Sequence, residues 1–473
     1  MLGFLLTGLM ALAPLLRGSW DQWAQTFLQL FVSLGMLLWL LGKTFSGTVP
    51  LPSPQQRLWI FLLFLLSGIS RILSPLHALA DPGWLNLLLG LWILFVFPLV
   101  SEEQRLRIEA TILNVGWILF LLAFYQRFFG HEEFPSASLI NANSFAGYIL
   151  LVFPLALEKK KGLLGFCLLW TLLWTGSKGA WISLSVALMV LHFHRRGLPF
   201  WAGLFIAALC LVMMMDKMSS PGVTHRLLWW KAAWNMVSQR PWVGFGPGAY
   251  GYVFPSFHVL SVQGLSTLYA HNYFLEVFAE LGILFGLIWF GGIARLTTRL
   301  SRYKKMALLA ILSHSLIDYG LSIPANFWIF CAVVASGLPP RECPIHIPGR
   351  LKAPLMVSLF LAGLCWVGRV YRPLRYEKLL AKEHFEEARK ILPQSPLAHI
   401  GLSRLFYREY LSRKEPHLLL ESIRYGERAI ELNPYRLSGW EDLRQRYRDL
   451  GRNDLAEEAL QRGKKYQWAT HLF

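Results

Sequence analysis

Charged residues are scarce in this chain. Only 16% of its 473 residues carry charge, while 55% are hydrophobic; a soluble protein of this size carries about 25% charged residues. The deficit excludes an ordinary soluble domain and makes lipid the main solvent. Cysteine is scarce as well. Of five, Cys167, Cys210, Cys331 and Cys365 sit inside apolar runs and Cys343 stands alone in a short loop, with no CxxC. That excludes a disulfide framework and a zinc ribbon. No basic stretch precedes the apolar N-terminus MLGFLLTGLMALAPLL, so it reads as a retained first span rather than a cleaved signal. The net charge of +18 is spread in short Lys/Arg clusters between apolar runs, which is a topology signal and not a nucleic-acid face.

What is present is a succession of lipid-length apolar runs. A hydrocarbon core of about 30 Å takes roughly 17 to 25 helical residues, and shorter runs span with local thinning. Thirteen spans fit: 1–16, 24–42, 58–73, 84–100, 108–128, 143–158, 162–175, 180–193, 198–216, 271–293, 306–321, 325–338 and 353–370. The fold class is therefore an all-α, polytopic bundle of about 12–13 transmembrane helices occupying 1–370. With the N-terminus in the cytoplasm, the inner loops hold 17 Lys and Arg residues and the outer side 8 before the tail, so positive charge selects that orientation. An odd span count then places the C-terminus outside, and the loop 217–270 becomes a large extracytoplasmic one.

From Tyr371 the composition turns charged. ERAIELNPYRLSGWEDLRQRYRDLGRNDLAEEALQRGKKY spaces small and apolar residues as paired helices do, and resembles a tetratricopeptide repeat; a weaker copy, EEARKILPQSPLAHIGLSRLFY, precedes it. Residues 371–473 are expected to form a small soluble repeat domain with a protein partner or with the membrane domain as its support.

Four polar clusters fall on the outer side. NANS holds Asn141 and Asn143 at the mouth of the sixth span. TGSKG holds Ser177 and Lys178 in the turn between the seventh and eighth. The long loop carries Arg226, Lys231 and Arg240, and His271-Asn272 opens the tenth. Lys178 sits against the positive-inside bias and is surrounded by small residues, as an anion site requires. RLLWWKAAWNMV is amphipathic: its tryptophans suit the headgroup level of membrane lipids, and Arg226 at its start offers a planar fork to a diphosphate. Gly244, Gly246, Pro247 and Gly248 read as a turn, because no GK[ST] follows to make a nucleotide loop. His271 has an ordinary pKa near 6.5 and accepts a proton at neutral pH. Glu276 and Glu280 follow on one helical face inside the apolar run, where carboxylates are costly. His314 and Asp318 form another i, i+4 pair.

In order, NANSFAG, SKG, RLLWW…PWVGFGPG and HNYFLEVFAELG resemble the motif set of the O-antigen ligase and polymerase superfamily over roughly 110–340. The resemblance implies a GT-C-like glycosyltransferase of the bacterial inner membrane. It would transfer a glycan from an undecaprenyl-diphosphate donor to a lipid, glycan or protein acceptor outside the cytoplasm, with no metal or cofactor. It implies that Arg226 and Lys178 hold the diphosphate and that His271 assists the acceptor hydroxyl. Ser177, Lys231, Arg240, Asn141, Asn143, Asn272 and Glu280 are then candidate substrate ligands. The family commonly has arginine where this chain has Lys178, which keeps the charge and loses the bidentate fork. The alternative from another class is a transporter of a small anion, with Glu280, His314 and Asp318 as a relay.

Overall fold

A computed structural model describes residues 1–193, 221–257, 267–339 and 342–467. The expected ninth span 198–216, with Cys210, and the cations Arg195, Arg196, Lys217 and Arg341 lie outside the described residues. The described chain is α-helical apart from one two-residue ladder, in which β1 (Thr48–Val49) pairs antiparallel with β2 (Ile345–His346).

The bundle runs α1 (Leu2–Leu15), α2 (Gln22–Ser46), α3 (Pro54–Ile72), α4 (His77–Val96), α5 (Glu102–Phe128), α6 (Ala142–Glu158), α7 (Gly162–Trp174) and α8 (Lys178–Phe193). It continues with α9 (Pro221–Gln239), α10 (Tyr273–Leu281), α11 (Ile283–Thr297), α12 (Arg302–His314) and α13 (Pro324–Ala335). Among the described residues four helices, α2, α4, α5 and the later Gly349–Ala381, are long and apolar enough to cross a membrane, and the shorter apolar helices complete a polytopic membrane bundle. Helix α5 shows how the ends are set. Ser101 and Gln104 form a capping box, Glu102 and Glu103 occupy the first turn and Arg127 the last, which matches the helix dipole at both ends.

Burial tracks composition. All twelve residues of α13 are buried, as is the run 144–156 of α6. Both are apolar all round, which places them centrally. Helix α14 (Gly349–Ala381) is the opposite case: none of its most apolar window is buried. It lies along α2, held by the Trp366 indole N–H donating to Ser33 Oγ at 2.9 Å.

The boundary read at 370/371 falls inside α14, whose 33 residues run from the bundle into the tail without a break. Its backbone hydrogen bonds continue across the change in composition, so polarity changes there but the fold does not. The tail goes on with α15 (Phe385–Ile391), α16 (Pro396–Arg413), α17 (Pro416–Leu432), α18 (Leu437–Asp449) and α19 (Asn453–Lys464). Helices α16 and α17 are locked by reciprocal bonds from Ser403 Oγ to Ser422 O and from Ser422 Oγ to Ser403 O, at 2.6 and 2.7 Å. The tail sits on the glycine-rich segment of the bundle. Tyr435 packs edge-on against Phe245 at 5.5 Å, and its carbonyl accepts from Ser256 Oγ at 2.8 Å.

Candidate active site

The expected continuous span 271–293 is broken. Gly282 takes φ 83° and ψ 164° between α10 and α11, because segment 241–250 lies across the end of α10 and needs the room. A Cβ on Gly282 would stand 2.2 Å from the Trp242 carbonyl oxygen, and one on Gly244 2.3 Å from the Glu280 backbone. The main-chain amides of Phe245 and Gly246 donate to Ala279 O and Glu280 O at 2.9 and 2.8 Å, and Ile283 donates to Pro241 O at 2.7 Å. The glycines read as a turn are thus a clasp on α10.

The two carboxylates of α10 hold the loops on either side of it. Glu280 accepts from the main-chain amides of Gly248 (2.7 Å) and Tyr250 (2.9 Å). Glu276 accepts from the Ala270 amide (2.9 Å) and from Ser322 Oγ (2.6 Å). Glu276 is buried and Glu280 half-buried, and carboxylates satisfied by backbone donors brace the loops that supply them, so Glu280 has a structural role whether or not it also meets a substrate. Asn272 likewise caps α10, its Oδ1 accepting from Leu275 N–H at 3.1 Å.

Ala270, pinned by Glu276, presents His271 just ahead of α10. The His271 backbone is left-handed, φ 51°, a conformation that costs a non-glycine residue energy and persists only where the surroundings enforce it. Here they do. Its ring stacks on Trp229 at 4.4 Å and meets the edge of Tyr319 at 4.6 Å, while the Trp230 indole N–H donates to its carbonyl at 3.3 Å. Its Nδ1 is buried with no hydrogen-bond partner among the described residues. Burial pushes the His271 pKa down to about 4; Asp318 opposes the shift and Arg226 adds to it. At neutral pH the imidazole is therefore uncharged and able to accept a proton.

Beside it, Arg226 Nε–H donates to Ile317 O at 2.9 Å and its Nη2 stands 3.7 Å from Asp318 Oδ2, with the arginine side chain 16% exposed. Asp318 also accepts the Tyr319 N–H at 2.8 Å. Tyr319 stacks on Tyr269 at 4.9 Å, and its hydroxyl accepts a hydrogen bond from Asn141 Nδ2. Asn141 caps α6 with its other side-chain atom, Oδ1 accepting from Ser144 N–H at 2.8 Å. His314 and Asp318 do not share one helix: α12 ends at His314, and Asp318 belongs to the turn that follows.

Of the residues singled out in the sequence, the structure thus gathers His271, Arg226 and, through Tyr319, Asn141. Arg240 is placed elsewhere: it donates to Leu73 O at 2.8 Å and lies 5.5 Å over the Phe245 ring, so it braces the clasp. Lys178 is the exposed first residue of α8, and Ser177 before it is buried, its amide donating to Thr175 Oγ1. Lys231 is exposed on α9 and Asn143 is half-buried in the first turn of α6. Two site residues were missed in the sequence. Trp229 follows Arg226 at i+3 on α9, a spacing that shares a face and was a usable signal. Tyr319 had none beyond adjacency to Asp318.

Comparison with known proteins bears on this arrangement. Residues 163–290 match the O-antigen ligase family model, a stretch that spans Lys178, Arg226 and His271. The chain is 23% identical over 403 residues to the ComP-specific O-oligosaccharyltransferase of Acinetobacter baylyi, covering 72% of this chain and 71% of that one. Both findings support the resemblance to the O-antigen ligase superfamily read from the ordered motifs.

Proposed function

We propose that this chain, as a relative of the O-antigen ligases, is a membrane glycosyltransferase that moves an oligosaccharide from a polyprenyl diphosphate, undecaprenyl in the first instance, to an acceptor hydroxyl. The observation that carries the reading is the uncharged, clamped His271 beside the Arg226–Asp318 pair. The glycosyl–diphosphate bond is already activated, so the protein has to neutralise a leaving group and orient an acceptor. The acceptor oxygen attacks the anomeric carbon, the carbon–oxygen bond to the diphosphate breaks, and its electron pair leaves on the diphosphate. The hydroxyl proton passes to His271. Attack opposite the leaving group inverts the anomeric centre. Arg226, held by Ile317 O and Asp318, meets the developing charge, with Lys178 carried over from the family motif as the second cation. No metal is needed for these steps.

The relative's name assigns it an oxygen acceptor on one specific partner, and the repeat-like tail of the present chain packs at the site end of the bundle. The tail, read as a protein-binding module, favours a protein acceptor over a lipid or glycan one. The opposite end carries Lys159, Lys304 and Lys352, which supports an extracytoplasmic site and tail with the N-terminus inside the cytoplasmic membrane. A transport relay through Glu280, His314 and Asp318 has less support, since Glu280 is tied to the main-chain amides of Gly248 and Tyr250. The test is product analysis: purified protein with a polyprenyl-diphosphate oligosaccharide should release the lipid diphosphate and form an O-glycoside of opposite anomeric configuration. Retained configuration contradicts the direct attack.

A further inference from the structure

Two cavities of about 330 Å³ each lie on the tail side of the His271 loop. One is set between α2, α4, α10 and the segment after the glycine clasp; the other lies between the same ends of α2 and α4 and helix α14 with the tail. Trp20, Gln22 and Tyr252 are walls of both, so the two cavities adjoin and line up as a groove from the tail seam toward the bundle. Its inner end reaches Tyr269, two residues before His271. We propose that this groove is a carbohydrate-binding site, which holds several sugar units of the chain being transferred or extended. The identification of the ligand as carbohydrate rests on the transferase reading.

The lining is what argues for sugars. Trp20 and Tyr269 pack together at 5.5 Å, and with Tyr252 they offer ring faces for the C–H side of a pyranose. The polar wall combines the carboxylates Glu276 and Glu280 with a relay of amides. Gln29 Nε2 donates to Asn86 Oδ1, Asn86 Nδ2 to Gln25 Oε1 and Gln25 Nε2 to Trp20 O, each at 2.9 Å. Buried amides in a membrane bundle are costly unless paired. This pairing fixes their direction, which leaves Gln25 and Asn86 as oriented partners for hydroxyl groups on the cavity wall. Apolar surface with a few fixed polar groups is the make-up of a small-molecule site. The cavity between bundle and tail gives a chain longer than the inner cavity a way out.

The test uses the full-length protein in detergent and oligosaccharides released by mild acid from the polyprenyl-diphosphate lipids of the source cells, tritiated at the reducing end. Equilibrium dialysis reads binding without turnover. Wild type and His271→Ala should bind saturably and alike. The double variant Gln22→Ala/Tyr252→Ala should bind about 10-fold more weakly, from loss of a stacking face and a hydrogen bond, with unchanged thermal unfolding. In turnover the same variant should raise KM for whichever glycan occupies the groove, donor or acceptor. No saturable binding by wild type, or equal binding by the double variant, overturns the proposal. So does a raised KM confined to a protein acceptor, which would place polypeptide in the groove. Failure of the transferase reading looks different: glycan binds and depends on the groove, yet no lipid diphosphate is released.

Discussion

The two ends of the membrane bundle both bury charge, and they use it differently. At the end away from the tail, Glu109 is held between Lys159 at 2.5 Å and Lys304 at 2.6 Å, which joins α5, the end of α6 and α12. Nearby, Arg105 spends its donors on the carbonyls of Pro98 and Val100. Glu109 and Arg105 each have close partners, and the arrangement is a staple. At the other end the base is kept neutral by burial, the guanidinium faces its carboxylate at 3.7 Å, and the geometry is enforced by aromatic rings and a left-handed backbone. Closely paired charge fixes helices; a base kept neutral by burial beside an arginine and a carboxylate is poised for chemistry.

The contrast can be broken at several points. The largest effect belongs to His271. Its replacement by alanine should lower transfer by about 10²- to 10⁴-fold, the usual worth of a general base, in protein that still inserts. Arg226→Ala should cost about 10²- to 10³-fold in kcat, the scale of a lost transition-state donor. Arg226→Lys should recover only part, because the fork that bonds Ile317 O while facing Asp318 is lost. Next comes Glu280→Gln. One amide hydrogen would point at a backbone N–H of Gly248 or Tyr250, which destabilises the clasp by about 1–3 kcal/mol. Thermal unfolding should move down while turnover per folded molecule is nearly kept. Equal loss of turnover and stability would return Glu280 to the substrate.

These expectations show what the sequence could and could not reveal. The apolar runs located most helices, because length and hydropathy are properties of a single segment. His271 and Arg226 were legible for a similar reason, as conspicuous polar residues at segment ends. The break at Gly282 was not, because it depends on segment 241–250 crossing α10. The structural partners of Glu280 and Arg240 were hidden on the same ground: they are main-chain groups of Gly248, Tyr250 and Leu73, which carry no side-chain signature. Tyr319 becomes part of the site only when α6, α12 and the His271 loop meet.

The smaller effects test the staple and the protonation state. Glu109→Gln should reduce thermal stability and leave kcat unchanged, since its close ion-pair partners among the described residues, Lys159 and Lys304, lie at the end away from His271. For His271 the sign follows from burial: its folded pKa, about 4, lies below the ordinary 6.5, so between these values the unfolded chain binds the extra proton. Stability is then complete above pH 6.5 and is lost as pH falls toward 4. The acid limb of the transfer rate should be centred near 4 in wild type, measured over a range where the protein stays folded. A limb centred at 6.5 would mean that His271 is not buried in the working enzyme.

The most direct measurement is single-turnover transfer in proteoliposomes, with donor binding read in the same samples, comparing wild type, His271→Ala, and His271→Ala supplied with free imidazole. The account predicts donor bound in all three, transfer lost in the variant, and partial return of rate that follows the unprotonated imidazole as pH is varied. Transfer by His271→Ala at the wild-type rate, with no added base, would contradict it.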